Sequence, residues 1–233
     1  MVDKSKVTKY SGVLGSVNSG FVDREPIAIR CGENLALSLN WLGHFLTFHP
    51  GNSANVIAES SYSAAVEATT LISLGALRSA ILSLRSHYEF FLMYLFYIDH
   101  RVELESSLQY RSHLKLPGDI KKYLKEYYPD FVSRWATLIK VKTRPDDDLY
   151  GRLSAVAHGS AVASLPAAKD PGDVLVSPGI LTQAEVMFSD VSENLSDFCV
   201  ATSSVSWISL PQLQRSALLT RLGPAAKKKL NFH

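Results

Sequence analysis

The chain has 233 residues, of which 46% are hydrophobic and 20% charged, and its 24 Lys+Arg against 22 Asp+Glu leave a net charge of only +2. This composition excludes global disorder, and the length supplies a substantial core without metal or disulfide staples. Cys31 and Cys199 have no CxxC partner, so a zinc cluster and a dithiol redox motif are excluded and two buried free thiols are expected. So small a net charge names no polyanionic partner, although Lys227, Lys228 and Lys229 form a local basic run.

Residues 1–30 mix β-branched residues with Gly and Ser, which predicts an irregular arm or one or two short strands. The opening residues carry no apolar stretch of the export type, so a cytoplasmic protein is expected. From Glu33 to Phe48, Leu35, Leu39, Leu42, Phe45 and Leu46 recur at steps of three and four, which predicts a helix closed by His49, Pro50, Gly51 and Asn52. Ser53 or Asn55 can cap the next helix, which runs through Ala64, Ala65 and Ala68 towards Leu71.

After Gly75 the chain runs without Pro or Gly from Ala76 to about Leu108, which reads as one central helix. Its most apolar part, Tyr88 to Ile98, is too short for a bilayer span of roughly 20 residues and is flanked by charges. A turn at Leu116 to Asp119 opens a helix to Tyr128, and Pro129 and Asp130 open another towards Lys140. Asp146, Asp147 and Asp148 feed the first turn of a helix to about His158, where the macrodipole favours acids. Ser164 to Gly179, with three prolines and two glycines, is a candidate functional loop. A long helix from Ser177 or Thr182 to Val205 and a short one from Pro211 to Leu222 follow. The expected fold is all-α: an antiparallel helical bundle of about five to seven helices. It divides into an N-terminal arm over residues 1–30, a single helical domain over 31–222 and a basic tail over 223–233.

No phosphate-binding glycine loop, dinucleotide fingerprint, serine-hydrolase elbow or HExxH motif is present. The seven histidines lack ligand spacing, so neither a metal nor another cofactor is expected. Two constellations carry chemistry. Tyr150, Ser154 and His158 are four apart, so on a helix their polar tips share one stripe. A plainer account has Ser154 bonding back to its own backbone and His158 ending the helix before Gly159. Arg85 and Glu89 are also four apart, within a helix otherwise rich in Leu, Phe and Tyr. Charges in such a setting are partly buried and call for polar partners on another helix; the Tyr150 stripe is the best supplier, and Glu89 facing His158 would raise the imidazole pKa.

The RxxxE element of Arg85 and Glu89, followed by YxxLSxxxHGS with Tyr150, Leu153, Ser154 and His158, resembles the all-α HEPN-type superfamily over roughly residues 55 to 205. The likeness is greatest to its bacterial branches with a Tyr-Leu-Ser-His helix and a following Pro-rich loop. It implies a helical bundle that pairs into a homodimer and acts as a metal-independent endoribonuclease, a toxin or antiphage effector. His158 would be the proton-transfer residue for attack of the RNA 2′-hydroxyl, and Arg152 would hold the phosphate oxygens. Tyr150, Ser154, Arg85 and Glu89 would position them.

Arg152 is followed by Leu153, which reads as core. At roughly 100° per residue, Arg152 and His158 point about 120° apart on one straight helix, so they converge only if the helix ends between them or sites combine across a dimer. The competing readings are a catalytically inactive helical binding module and a subunit of a larger complex that docks through the arm and tail; no membrane partner is expected.

Overall fold

The computed structural model describes residues 12, 13, 15–110, 112–145, 148–157, 171–203 and 206–232. Among them every regular element is helical, as the periodicity predicts. The α-helices are α1 Phe21–Phe48, α2 Asn55–Ser73, α3 Leu77–Tyr97, α4 Arg101–Tyr110, α5 Pro117–Tyr127, α6 Phe131–Lys140, α7 Leu149–Ala157, α8 Pro178–Thr202, α9 Gln212–Arg221 and α10 Pro224–Lys229. Short 3₁₀ turns lie at Pro171–Val174 and Ser206–Ser209.

Among the described residues, ten bounded α-helices exceed the expected five to seven. The predicted central helix is interrupted at Asp99 and His100: the His100 imidazole Nδ1 bonds the Phe96 carbonyl at 2.7 Å and its backbone N–H bonds Tyr97 O at 3.2 Å. These bonds satisfy carbonyls that the end of α3 would otherwise leave unpaired, and α4 starts afresh at Arg101.

The expected irregular arm is corrected from Gly15 onward. Residues 15–19 are helical, and α1 begins at Phe21 and carries Pro26 inside it. Ile27, Cys31, Leu35, Leu42 and Phe45 are buried at helical spacing along α1. That stripe outweighs the lost amide donor of Pro26, since each fully buried large apolar side chain stabilises by about 1.5–3 kcal/mol. The expected basic tail is corrected as well. Residues 224–229 form α10, Ala226, Leu230 and Phe232 are buried, and the Phe232 ring lies 4.4 Å from that of Trp207.

The chain divides into two compact units. The first comprises residues 1–34, 64–86 and 148–189. Ile72, Ile81, Leu84, Leu153 and Leu181 are among its buried side chains. Its α2 ends in a left-handed Gly75 with φ of 82°, where Gly75 N bonds Ile72 O at 2.9 Å and Ala76 N bonds Leu71 O at 2.9 Å. These are the two closing bonds of a Schellman motif. Buried Arg24 adds a bond from Nε to Ser73 O at 3.0 Å, and Val176 N bonds Gly75 O at 2.9 Å.

The second unit comprises residues 35–63, 87–147 and 190–233. Trp41, Phe91, Tyr94, Phe131, Leu195 and Phe198 are buried in it, and the Trp135 ring packs 4.5 Å from that of Phe198. No helix among the described residues is long and apolar enough to cross a membrane.

Candidate functional site

Helix α7 starts where Asp148 accepts the Gly151 backbone N–H on Oδ1 at 2.9 Å, a side-chain cap on the third helical residue. A Cβ at Gly151 would meet the Asp148 carboxylate, which would have to shift to accommodate it. The cap fixes the phase of the helix: Leu149 and Leu153 are buried, while Tyr150, Arg152 and Ser154 are half-buried.

Arg85 Nη2 donates to the Tyr150 hydroxyl at 3.1 Å, and the guanidinium carbon lies 5.3 Å from the centre of the Tyr150 ring. The half-buried charge on α3 thus has its polar partner on α7, as the sequence predicts. Glu89, one turn along α3 from Arg85, is also half-buried. Ser154 Oγ is buried and has no hydrogen-bond partner among the described residues, so the plainer expectation of a bond back to its own backbone is not met. Arg152 is anchored through its backbone N–H on Asp148 O at 3.1 Å, with its Nε buried. His158 lies outside the described residues, as do residues 164–170 of the predicted 164–179 loop, so the geometry here concerns Arg85, Tyr150, Arg152 and Ser154.

Two polar clusters of the second unit were not anticipated. The first surrounds His87, which is fully buried on α3. Its Nδ1 lies 3.0 Å from the Ser61 carbonyl and 2.9 Å from Ser61 Oγ, and its Nε2 lies 3.1 Å from Ser38 Oγ. A carbonyl only accepts, so the proton is assigned to Nδ1 and Nε2 faces the Ser38 hydroxyl. Burial pushes the imidazole down to about 4, against the opposing effect of the Ser61 backbone bond. His87 is therefore neutral and internally bonded at pH 7.

The second cluster joins two guanidiniums to two carboxylates. Arg144 Nη1 lies 2.7 Å from Glu193 Oε1 and 2.6 Å from Asp197 Oδ2, and Arg221 Nη1 lies 2.9 Å from Glu193 Oε1. Arg221 also pairs with Asp197. The side chains of Arg144 and Asp197 are fully buried. Burial alone would raise the Glu193 pKa, but bonds from Thr143 and the charges of Arg221 and Arg144 outweigh it and hold the carboxyl below its usual range. With its amide nitrogen on the Tyr88 hydroxyl, Asn194 turns its oxygen to Arg144, 3.2 Å from both Nη2 and Nε. The signal in the sequence was two acids four apart within the apolar pattern of Val191, Leu195 and Phe198, with arginines elsewhere to neutralise them.

Both cysteines are buried free thiols. Burial, with Glu185 adding to it and Arg30 opposing, pushes the Cys31 thiol up to about 12, and burial pushes Cys199 well above its ordinary value. No group of three or more His, Cys, Asp or Glu among the described residues is placed to hold a metal. Comparison of the chain with family models, with curated proteins and with solved structures finds no match.

Proposed function

We propose that the chain is a metal-independent endoribonuclease of HEPN type, acting in the cytoplasm as a toxin or antiphage effector, with its helices arranged as an antiparallel bundle that pairs into a homodimer. In this reading Arg152 holds the phosphate oxygens of RNA in its planar fork. His158 takes the proton from the ribose 2′-hydroxyl as that oxygen attacks the adjacent phosphorus, and the 5′-oxygen leaves on gaining a proton.

The observation that carries the reading is the bond from Arg85 to Tyr150 at 3.1 Å. It ties the RxxxE helix to the Tyr-Leu-Ser helix, the two segments on which the HEPN resemblance rests. It also fixes the turn of α7 from which Arg152 projects. Ser154, with its buried Oγ, and Glu89 complete the polar set assigned to positioning.

The test is induced expression in a bacterial host, comparing the wild type with Arg152→Ala and His158→Ala at matched soluble levels. Growth arrest and RNA cleavage are expected in the wild type alone. Purified protein is expected to cut RNA in the presence of EDTA and leave 2′,3′-cyclic phosphate ends. Equal cleavage by the variants would reject this site.

A second reading is a catalytically inactive helical module. The internal bonding of His87 and the neutralised cluster of Arg144, Arg221, Glu193 and Asp197 favour it, since these polar groups serve packing. It predicts intact RNA in every arm of the same experiment.

A further inference from the structure

The second unit holds a cavity of about 590 Å³, within the size range of small-molecule sites. Its apolar side is formed by the buried Phe45 and Leu95. One aromatic wall is the pair His44 and Phe48, whose rings are 4.6 Å apart, and Phe48 remains 61% exposed although nothing polar is attached to it. At the rim the Tyr128 hydroxyl donates to Asp99 Oδ2 at 2.6 Å.

That single bond uses one of the roughly four lone-pair positions of a carboxylate and leaves the others for a ligand. Among the described residues no lysine or arginine lines the cavity, and Asp99 is the one carboxylate there. Burial, with His49 nearby, moves the His44 pKa down. The Asp99 carboxylate favours a donor-rich or cationic head group, and the walls favour a flat ring.

We infer that this cavity binds a planar aromatic or heteroaromatic molecule bearing a paired N–H edge of the amidine type, its ring against Phe45, Leu95 and Phe48 and its donors on the Asp99 carboxylate. Aryl amidines and the guanine base share that edge, and both are small enough for the volume. The assignment is independent of any ribonuclease activity.

The experiment is calorimetric titration of the full chain with benzamidine, guanosine and benzoate. One-to-one binding of benzamidine or guanosine is expected, with benzoate at least tenfold weaker. Binding of guanosine alone identifies a nucleobase as the source of the chemistry, and binding of benzamidine alone a cationic ligand; either supports the site. Asp99→Asn is expected to weaken the bound probe at least tenfold. Tyr128→Phe, which keeps the carboxylate, is expected to change it by less than threefold. Ser209→Trp places a large ring at an exposed lining position and is expected to block binding even where Asp99→Asn fails to fold. Benzoate binding as tightly as benzamidine, no binding of either probe, or unaltered binding in Asp99→Asn or Ser209→Trp would overturn the inference.

Discussion

Arg85 on α3 and Tyr150 on α7 meet in two ways at once: Nη2 donates to the hydroxyl at 3.1 Å while the guanidinium carbon stands 5.3 Å from the ring centre. The hydroxyl and the ring therefore separate experimentally. Tyr150→Phe keeps the ring and removes the acceptor, so it is expected to cost about 1–2 kcal/mol of stability, as for a hydrogen bond to a charged group in a half-buried place. Tyr150→Ala removes both and is expected to cost more. Urea unfolding of the two variants checks the order; equal losses would mean that the hydroxyl contributes nothing.

His87 makes a prediction about pH. Its folded pKa of about 4 lies below the ordinary value of 6.5, so between those values the unfolded chain binds more protons at this site than the folded one. Its contribution thus lowers stability as pH falls from about 6.5 towards 4 and is constant above that window. The Glu193 pKa is also lowered in the fold, so its stabilising contribution is present above the unfolded carboxylate value of 4.5 and is lost as pH falls through its folded value. The Glu193 window begins only below about 4.5, so of the two groups His87 carries the slope above pH 5. The urea midpoint of the wild type is expected to fall between pH 6.5 and 5, and His87→Gln, less stable at pH 7, is expected to lose most of that slope. An imidazole that titrates near 6.5 by NMR would contradict the account.

The sequence makes the helices legible where one stripe dominates. Leu35, Leu42 and Phe45 identify the second half of α1, but Gly15, Gly20 and Pro26 conceal its start. There the stripe passes through Ile27 and Cys31 and is supported by Arg24, whose Nη2 bonds the Val17 carbonyl at 2.7 Å. Such a partner is set by tertiary packing and leaves no local pattern. The same holds at His100, where a side-chain bond to Phe96 O breaks an otherwise continuous apolar pattern. Of the site, the meeting of Arg85 with Tyr150 followed from the cost of burying an unpartnered charge. The His87 and Arg144 clusters did not, because serines, an imidazole and scattered charges become a network only when distant segments pack.

Gly75 provides a backbone test. Its φ of 82° suits glycine, and a Cβ there would stand 3.2 Å from Arg24 Nη1 and 3.3 Å from Arg24 Cδ. Gly75→Ala is expected to cost about 1–2 kcal/mol through the left-handed conformation, with some displacement of Arg24 besides. Gly118, whose Cβ would meet nothing within 4 Å and whose φ is ordinary, is the matched control. Gly118→Ala is expected to be neutral or slightly stabilising in the same thermal melts.

The Arg144, Glu193, Asp197 and Arg221 cluster is formally neutral, and its worth depends on completeness. Removing one member leaves a buried charge without its full set of opposites, which costs about 3–5 kcal/mol in comparable pairs. Arg144→Met, at a side chain with no exposure, is therefore expected to be among the most destabilising substitutions in the second unit. It strips Asp197 of one of two cations and Asn194 of its guanidinium partner. Adding Asp197→Asn removes the stranded charge. The double variant is expected to lose less than the sum of the single losses, with a favourable coupling of about 1–3 kcal/mol in a double-mutant cycle. Additive losses would show that the two residues act independently and that their 2.6 Å contact contributes no pairwise stability.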